Sequence, residues 1–479
     1  MTRILKTFAL VGFVFFLLIH AREAQCSVIY VKAGATGANN GKTWGNAYAH
    51  LQNALTNAIG GDAIWVAQGD YGSISMTPGV AIYGGFNGTE STLDQRNWTT
   101  NQTVLSSGNI GGYQAILDGF TISGVGCGMI NIEVSPTIVN CTFTGNTNGG
   151  GIGQSGDGGG MYNISSSPMV TNCTFIGNTT TDGSGGGMYN ALSSPTVTNC
   201  TFTNNTARLG FGGGMCFSGG SPTVTNCTFT GNQAGGGGGL CNDAGTVTNC
   251  IFTNNVATGG YSSGSFGNGY GGGMSIGSGT VTNCIFTNNA AHGGVGFNGY
   301  GGGMSNGGTV TNCIFINNAA HGINHSGFGG GYGGGMCNEG NIPMVTNCTF
   351  TGNAAYSGGG VYNDQGSSVT LTNDILWGDR AEIGAEYFNY ISNASFNHCN
   401  KGNPLFVNIN NPIGSGWFTM SSGLALLSSS PCLNAGTTVG APLTDILGNS
   451  WVGGVPDIGA YQYYPPISSK NSVKDWEHY

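Results

Sequence analysis

Apolar residues recur along this chain in short clusters rather than in a helical rhythm. Aligned on eight cysteines (Cys141, Cys173, Cys200, Cys227, Cys250, Cys284, Cys313 and Cys348), the sequence falls into columns. Three positions before each Cys stands an aliphatic residue, from Ile138 to Val345, and two positions after it stands Phe, from Phe143 to Phe350. Asn immediately precedes every Cys and recurs five positions after it, from Asn146 to Asn353. Each unit then runs into Gly-Gly-Gly and one apolar residue: Met161, Met188, Met215, Leu240, Met274, Met304, Met336 or Val361. TVTNCTFTNN at 196–205 is a representative phrase.

Successive cysteines are 23 to 35 residues apart. The pattern predicts three short strands per unit, separated by Asn and Gly turns. Strands this short cannot bury a face alone and must stack on copies of themselves. In-register stacking sets like residues about 4.7–4.9 Å apart. Phe and aliphatic columns then fill a dry interior, and Asn columns hydrogen-bond amide to amide. Gly-Gly-Gly turns a corner that a Cβ would obstruct. The expected fold is all-β, a right-handed parallel β-helix, the hand following the rule for parallel crossovers. Cys lies two positions from Phe and so faces inward. A column of buried thiols is the expected state, with vertical disulfides as the rival.

The two ends break the pattern. SVIYV, IWVAQGDY, VAIYGGF and ILDGFTISG read as early strands. Ala47, Leu51, Leu55 and Ile59 stand four apart and predict an amphipathic helix over 47–59 that caps the solenoid. The chain divides into 1–26, 27–104 (cap and first coils), 105–378 (repeats) and 379–479 (last coils and a C-terminal cap).

Composition agrees. Gly numbers 92 of 479 residues without a collagen period, and only 6% of residues are charged. A net charge of −9 argues against a nucleic-acid partner. Arg3 and Lys6, the apolar run 7–19 and the Ala24-Gln25-Cys26 site read as a signal peptide. Secretion, or display at the cell surface in association with an outer membrane, is expected, with no transmembrane segment after signal removal. A monomer is expected.

The openings YVKAGATGANNGKTWGNAYAHLQNAL, IWVAQGDY, IYGGFNGTES and ILDGFTI resemble bacterial β-helix proteins of the pectin-lyase-like superfamily. NPLFVN, SSPCLNAG, DILGN and PDIGAYQY resemble the C-terminal region of choice-of-anchor Q proteins. FTGN and FTNN match the FxxN mark of polymorphic outer membrane protein repeats, while GGGM departs from their GGA mark. The resemblance implies an exported, often surface-anchored protein, with adhesion as one family role and polysaccharide cleavage as another.

Length variation is concentrated between FxxN and GGG, so insertions emerge on one face. Three successive long ones, 257–270, 291–300 and 320–332, carry Tyr261, Phe266, Tyr270, Phe297, Tyr300, Phe328 and Tyr332. Aromatics on Gly-rich loops suit sugar or other flat surfaces. These seven are the candidate ligand-binding residues. His292, His321 and His325 accompany them without a carboxylate, so no metal set is assigned.

No catalytic set is assigned either. The carboxylates that could serve are Asp157 and Asp182, at corresponding loop positions of adjacent coils, and Asp243. Glu90, Asp94, Arg96 and Asp118 read as turn and ion-pair chemistry near the cap, and Asp374, Asp379, Glu382 and Glu386 as an acidic group that could meet a cation. No cofactor is expected, calcium alone being admitted. Seven of the eight units carry Thr two positions before Cys, an outward column that strand propensity explains. The expected function is an adhesion or binding module for carbohydrate or a cell-surface ligand. The alternative is a polysaccharide lyase or glycoside hydrolase on the same scaffold.

Overall fold

The computed structural model describes residues 27–106, 114–150, 156–259, 267–323, 330–340, 343–408 and 423–463. The signal-peptide reading falls outside these residues.

Three long parallel sheets run the length of a solenoid. The first has fourteen strands, from Val28–Val31 to Asn393–Asn397; the second has twelve, from Gly69–Asp70 to Ile375–Leu376; the third has ten, from Met129–Ile132 to Tyr387–Asn389. Seven-stranded and three-stranded sheets line the corner between the second and third. The register is set by like residues: Val170 pairs with Val197, Phe175 with Phe202 and Met188 with Met215.

Turn chemistry sets the strand length. The Asn before each Cys is left-handed, as at Asn199 (φ 53°), and turns the chain from the first sheet to the second. Four positions after Cys the residue is Gly or Asn without exception. The backbone is left-handed there too, at Gly145 (φ 62°), Asn204 (φ 53°), Asn254 (φ 55°) and Gly352 (φ 71°). At the third corner the glycines face the next coil. A Cβ on Gly160 would lie 2.5 Å from the carbonyl oxygen of Gly187 and 3.0 Å from the ring of Phe175.

The interior is a set of ladders. Phe143 to Phe350 stack with ring centroids 4.6–4.9 Å apart, nearly parallel and fully buried. Each buried ring contributes about 1.5–3 kcal/mol relative to exposure. The Asn column from Asn146 to Asn353 is equally buried. A second inner Asn ladder, unread in the sequence, lies in the third sheet, where Asn131 donates to Asn163 and Asn163 to Asn190, both at 2.8 Å.

The cysteines of the repeat are inward and free. The N–H of Cys200 donates to the Sγ of Cys227 at 3.4 Å, and the Cys200 thiol donates to the carbonyl oxygen of Thr198 at 3.2 Å. Burial pushes Cys173, Cys250 and Cys313 well above the usual thiol range. Because all eight are buried, the repeat thiols stay silent to a thiol reagent in the native protein and react together on unfolding. Counting reactive thiols before and after denaturant checks this.

The N-terminal helix is shorter than its apolar stripe. It spans Leu51–Asn57, after a 3-10 turn at Trp44–Asn46. Ala47 lies outside it because the next residue, Tyr48, bridges to Val31 as extended chain. Ile59 is 59% exposed and lies beyond the helix, in a turn where its N–H donates to Asp62 Oδ2 at 2.9 Å. Leu51, Ala54 and Leu55 join the main core, the role expected of a cap.

The C-terminal segment folds back along the flank. Leu424, Ile446, Ala460 and Tyr461 pack on Ile285, Ile314 and Ile316, which point outward from the second sheet where earlier coils carry Thr201 and Thr228. The outward amides of Asn312, Asn347 and Asn373 donate to backbone oxygens of Thr444, Asp457 and Thr437. Thr171, Thr198, Thr225, Thr248, Thr282 and Thr311 form a half-buried outer column, and Thr346 at its end is buried.

Candidate functional site

The three long insertions end in the same dipeptide. Gly269–Tyr270, Gly299–Tyr300 and Gly331–Tyr332 pair in register as the three-stranded sheet. Tyr270 and Tyr300 stack at 5.2 Å, Tyr300 and Tyr332 at 5.2 Å, and Tyr332 meets Tyr362 at 4.8 Å with the rings tilted. Phe388 continues the run beyond Tyr362 at 5.9 Å. The rings lie on one another, so their faces are largely taken, and edges and hydroxyls are what the ribbon offers. Asn268 Nδ2 donates to the Tyr270 hydroxyl at 2.9 Å and Asn298 Nδ2 to that of Tyr300 at 3.1 Å, which orients the phenols. Burial pushes the Tyr300 phenol up to about 12, so it keeps its proton.

Beside this ribbon runs the outer face of the third sheet. Ser275, Ser305, Cys337, Tyr362 and Phe388 form one column of it. On the turn that follows, Glu339 and Asp364 occupy equivalent positions, three residues after Met336 and Val361. Glu339 Oε1 accepts from the Ser305 hydroxyl at 3.0 Å. Burial raises the Glu339 carboxyl to about 7; the Ser305 bond opposes this and the charge of Asp364 adds to it. Burial raises the Tyr270 phenol as well. At neutral pH the site holds a carboxyl, Glu339, that both gives and takes a proton beside the Ser305 hydroxyl.

A raised carboxyl has a stability signature. Between the ordinary Glu range and about pH 7 the folded protein holds a proton at Glu339 that the unfolded chain has released. Its contribution to stability is complete below the unfolded pKa and is lost as pH rises through that window towards the folded pKa, at about 1.4 kcal/mol for each step of one in pH. Glu339→Gln removes this slope, and urea midpoints from about pH 4 to about pH 8 read it.

The expected residues fare differently. Tyr270, Tyr300 and Tyr332 are brought together. Phe297 is half-buried in the turn before Tyr300. Tyr261, Phe266, Phe328 and His325 lie outside the described residues. His292 and His321 stack at 5.4 Å on the neighbouring corner, and burial lowers the His292 pKa. Asp157 Oδ1 is occupied by the Ser184 N–H at 2.6 Å, Asp182 is exposed, and Asp243 Oδ2 accepts from the Gly219 N–H at 3.1 Å. Asp157 precedes its third-sheet strand, Met161–Ile164, and Asp243 follows its own, Leu240–Asn242, so the two stand at opposite edges of the sheet. Arg96 pairs with Asp118 at 2.7 Å, and Glu90 accepts backbone N–H groups from Asn87, Gly88 and Thr89, as read. Glu339 and Asp364 were missed; aligning units on Gly-Gly-Gly-Met instead of Cys puts them in one column with Asp243. A cavity of about 440 Å³ lies elsewhere, where the C-terminal segment meets Asn226, Asn249 and Ile251, and no charged residue lines it. Among the described residues no helix is long and apolar enough to cross a membrane.

The stacked parallel coils form a right-handed parallel β-helix. Residues 111–270 match the family described as "Right handed beta helix region". Among solved structures, a pectate lyase, Pel9A, is 14% identical, with 91% of this chain and 96% of that one covered at a TM-score of 0.41. A rhamnogalacturonan lyase is 10% identical, with 80% and 91% covered at a TM-score of 0.28. The comparison with curated proteins finds no match.

Proposed function

We propose that this protein is an exported binding module for a neutral, hydroxyl-rich polysaccharide, which lies along the tyrosine ribbon. The observation that carries this reading is the in-register Tyr270, Tyr300 and Tyr332 stack. It offers hydroxyls at regular intervals along the solenoid, and an extended polymer with repeating hydroxyls meets them repeatedly. Asp364 and the net charge of −9 disfavour an acidic polymer. The N-terminal signal-like segment supports an extracellular setting, at the surface or free of it.

The test is retention of the protein on gels containing neutral or acidic polysaccharides. Neutral polymers slow the parent, and joint replacement of Tyr270, Tyr300 and Tyr332 by Ala releases it. Tighter retention on acidic polymers, or retention unchanged in the triple variant, defeats the proposal.

A second reading is favoured by the Glu339 carboxyl alone. An acid that keeps its proton near neutral pH, with a second carboxylate close by, is the pairing that glycoside hydrolysis uses. New reducing ends that vanish in Glu339→Gln would make the module an enzyme. Binding without new ends leaves it a binding protein.

A further inference from the structure

The inner Asn ladder of the second sheet ends on an acid. Asn318 is followed by Asn353, and Asn353 by Asp379, whose Oδ1 accepts the backbone N–H of Asn353 at 2.7 Å and its Nδ2 at 2.8 Å. In the rungs before it, the second side-chain atom is an Nδ2 that donates to a Phe carbonyl and to the next Asn, as Asn318 does. In Asp379 that atom is Oδ2, which only accepts when ionised, and it is buried without a hydrogen-bond donor. It lies against the corner glycine of the preceding coil, where a Cβ on Gly360 would come within 2.5 Å of it.

Glu386 folds onto the same corner. Its Oε1 accepts from the Gly378 N–H at 3.1 Å, and its Oε2 is buried with no donor. Asp379 is 6% exposed, while Glu386 is half-buried. Among the described residues the ion pair is Arg96 with Asp118, far from this end, so neither carboxylate has a cationic side chain against it. Burial raises both carboxyls, and the charge of Glu386 adds to the effect on Asp379. The other acids of the group stand apart. Asp374 ends the Cys ladder by accepting the Cys348 N–H at 2.7 Å, and Glu382 is exposed.

Asp379 and Glu386 are in side-chain contact with no cationic side chain against them, so the pair is balanced either by a shared proton or by a cation, and the anchored, buried Oδ2 of Asp379 favours the cation. We propose that Asp379 and Glu386 hold a hard divalent cation, calcium or magnesium, which closes the C-terminal end of the Asn ladder. Asp379 supplies Oδ2 and Glu386 supplies Oε2. Water completes the coordination on the open side of Glu386, as hard cations with few protein ligands require. Because Asp379 Oδ1 is anchored by Asn353, its free oxygen is in place before the ion arrives.

Asp379→Asn is the informative variant, because it extends the ladder by one more Asn and keeps the fold. The full chain, freed of metal with a chelator, is unfolded thermally in calcium or magnesium chloride up to roughly 10 mM, above the affinity range of extracellular calcium modules. Sodium chloride holds the ionic strength constant. The Tm of the parent rises with at least one of the two ions, the rise is absent in Asp379→Asn, and it is reduced in Glu386→Gln. A parent Tm indifferent to both ions, or an equal rise in Asp379→Asn, overturns the site. A parent that ignores both ions but loses stability from about pH 5 to about pH 8, while Asp379→Asn does not, also overturns it and assigns the pair a shared proton.

Discussion

Phe229→Ala lowers the unfolding free energy by about 3–5 kcal/mol. Phe229 stands in the middle of the ring stack, 4.9 Å from Phe202 and 4.8 Å from Phe252, and is fully buried. Removing the ring takes away its transfer energy and leaves a hole that neighbours fill poorly. Phe202 and Phe252 are held by strand pairing on both sides, so neither slides into the gap. Coils interact with their neighbours alone, so the lost contact also weakens the coupling between the two halves of the solenoid. Urea unfolding measures the loss. Thr203→Ala, one residue beyond Phe202 but half-buried on the outer side, changes stability by no more than about 0.5 kcal/mol. Equal losses in the two variants would refute the inward stack.

Asn232→Leu is expected to cost about 4 kcal/mol or more, although Leu is the more hydrophobic residue. Asn232 is fully buried. Its Nδ2 donates to the Phe202 carbonyl oxygen and to Asn255 Oδ1, both at 2.9 Å. Its Oδ1 accepts the backbone N–H and Nδ2 of Asn205, both at 3.0 Å. Leu satisfies none of these groups, and each buried partner left alone costs about 1–3 kcal/mol. The same amino acid six positions earlier behaves otherwise. Asn226 is exposed, and its φ of 53° suits glycine, so Asn226→Gly, which gives up only exposed amide bonds to Asn199 and Asn249, costs far less than Asn232→Leu. Denaturant midpoints for the two variants separate the inner ladder from the outer turn, and similar losses would mean that the columns had been assigned to the wrong faces.

That contrast also marks what periodicity can reveal. The Phe, Val and Met columns were legible because stacking puts like on like, and an in-register solenoid repeats its inside at every coil. The Asn columns were legible as ladders, but their faces were not. Asn199 turns the chain outward while Asn205 bonds inside, and both positions read simply as Asn. The helix over 47–59 was too long at both ends, because a regular apolar spacing is silent about the bridge at Tyr48 and the Asp62 turn. The loop tyrosines were legible as a set, but the spacing did not carry that the rings of Tyr270, Tyr300 and Tyr332 stack on one another.

The repeat of short apolar strands between obligatory Gly or Asn turns determined the β-helix, its inward thiols and the face on which the insertions emerge. Strands of three residues bury a face by stacking on copies of themselves. Only the tertiary structure stacked Tyr270, Tyr300 and Tyr332 as one ribbon and set Asp379 and Glu386 apart from Asp374 and Glu382. The coils differ in length, from 23 to 35 residues between cysteines, so residues that share a corner do not share an offset from the repeated phrase. Whether a carboxylate is a solvated loop acid or a buried proton holder depends on the coils above and below it, and the spacing along the chain does not carry that information.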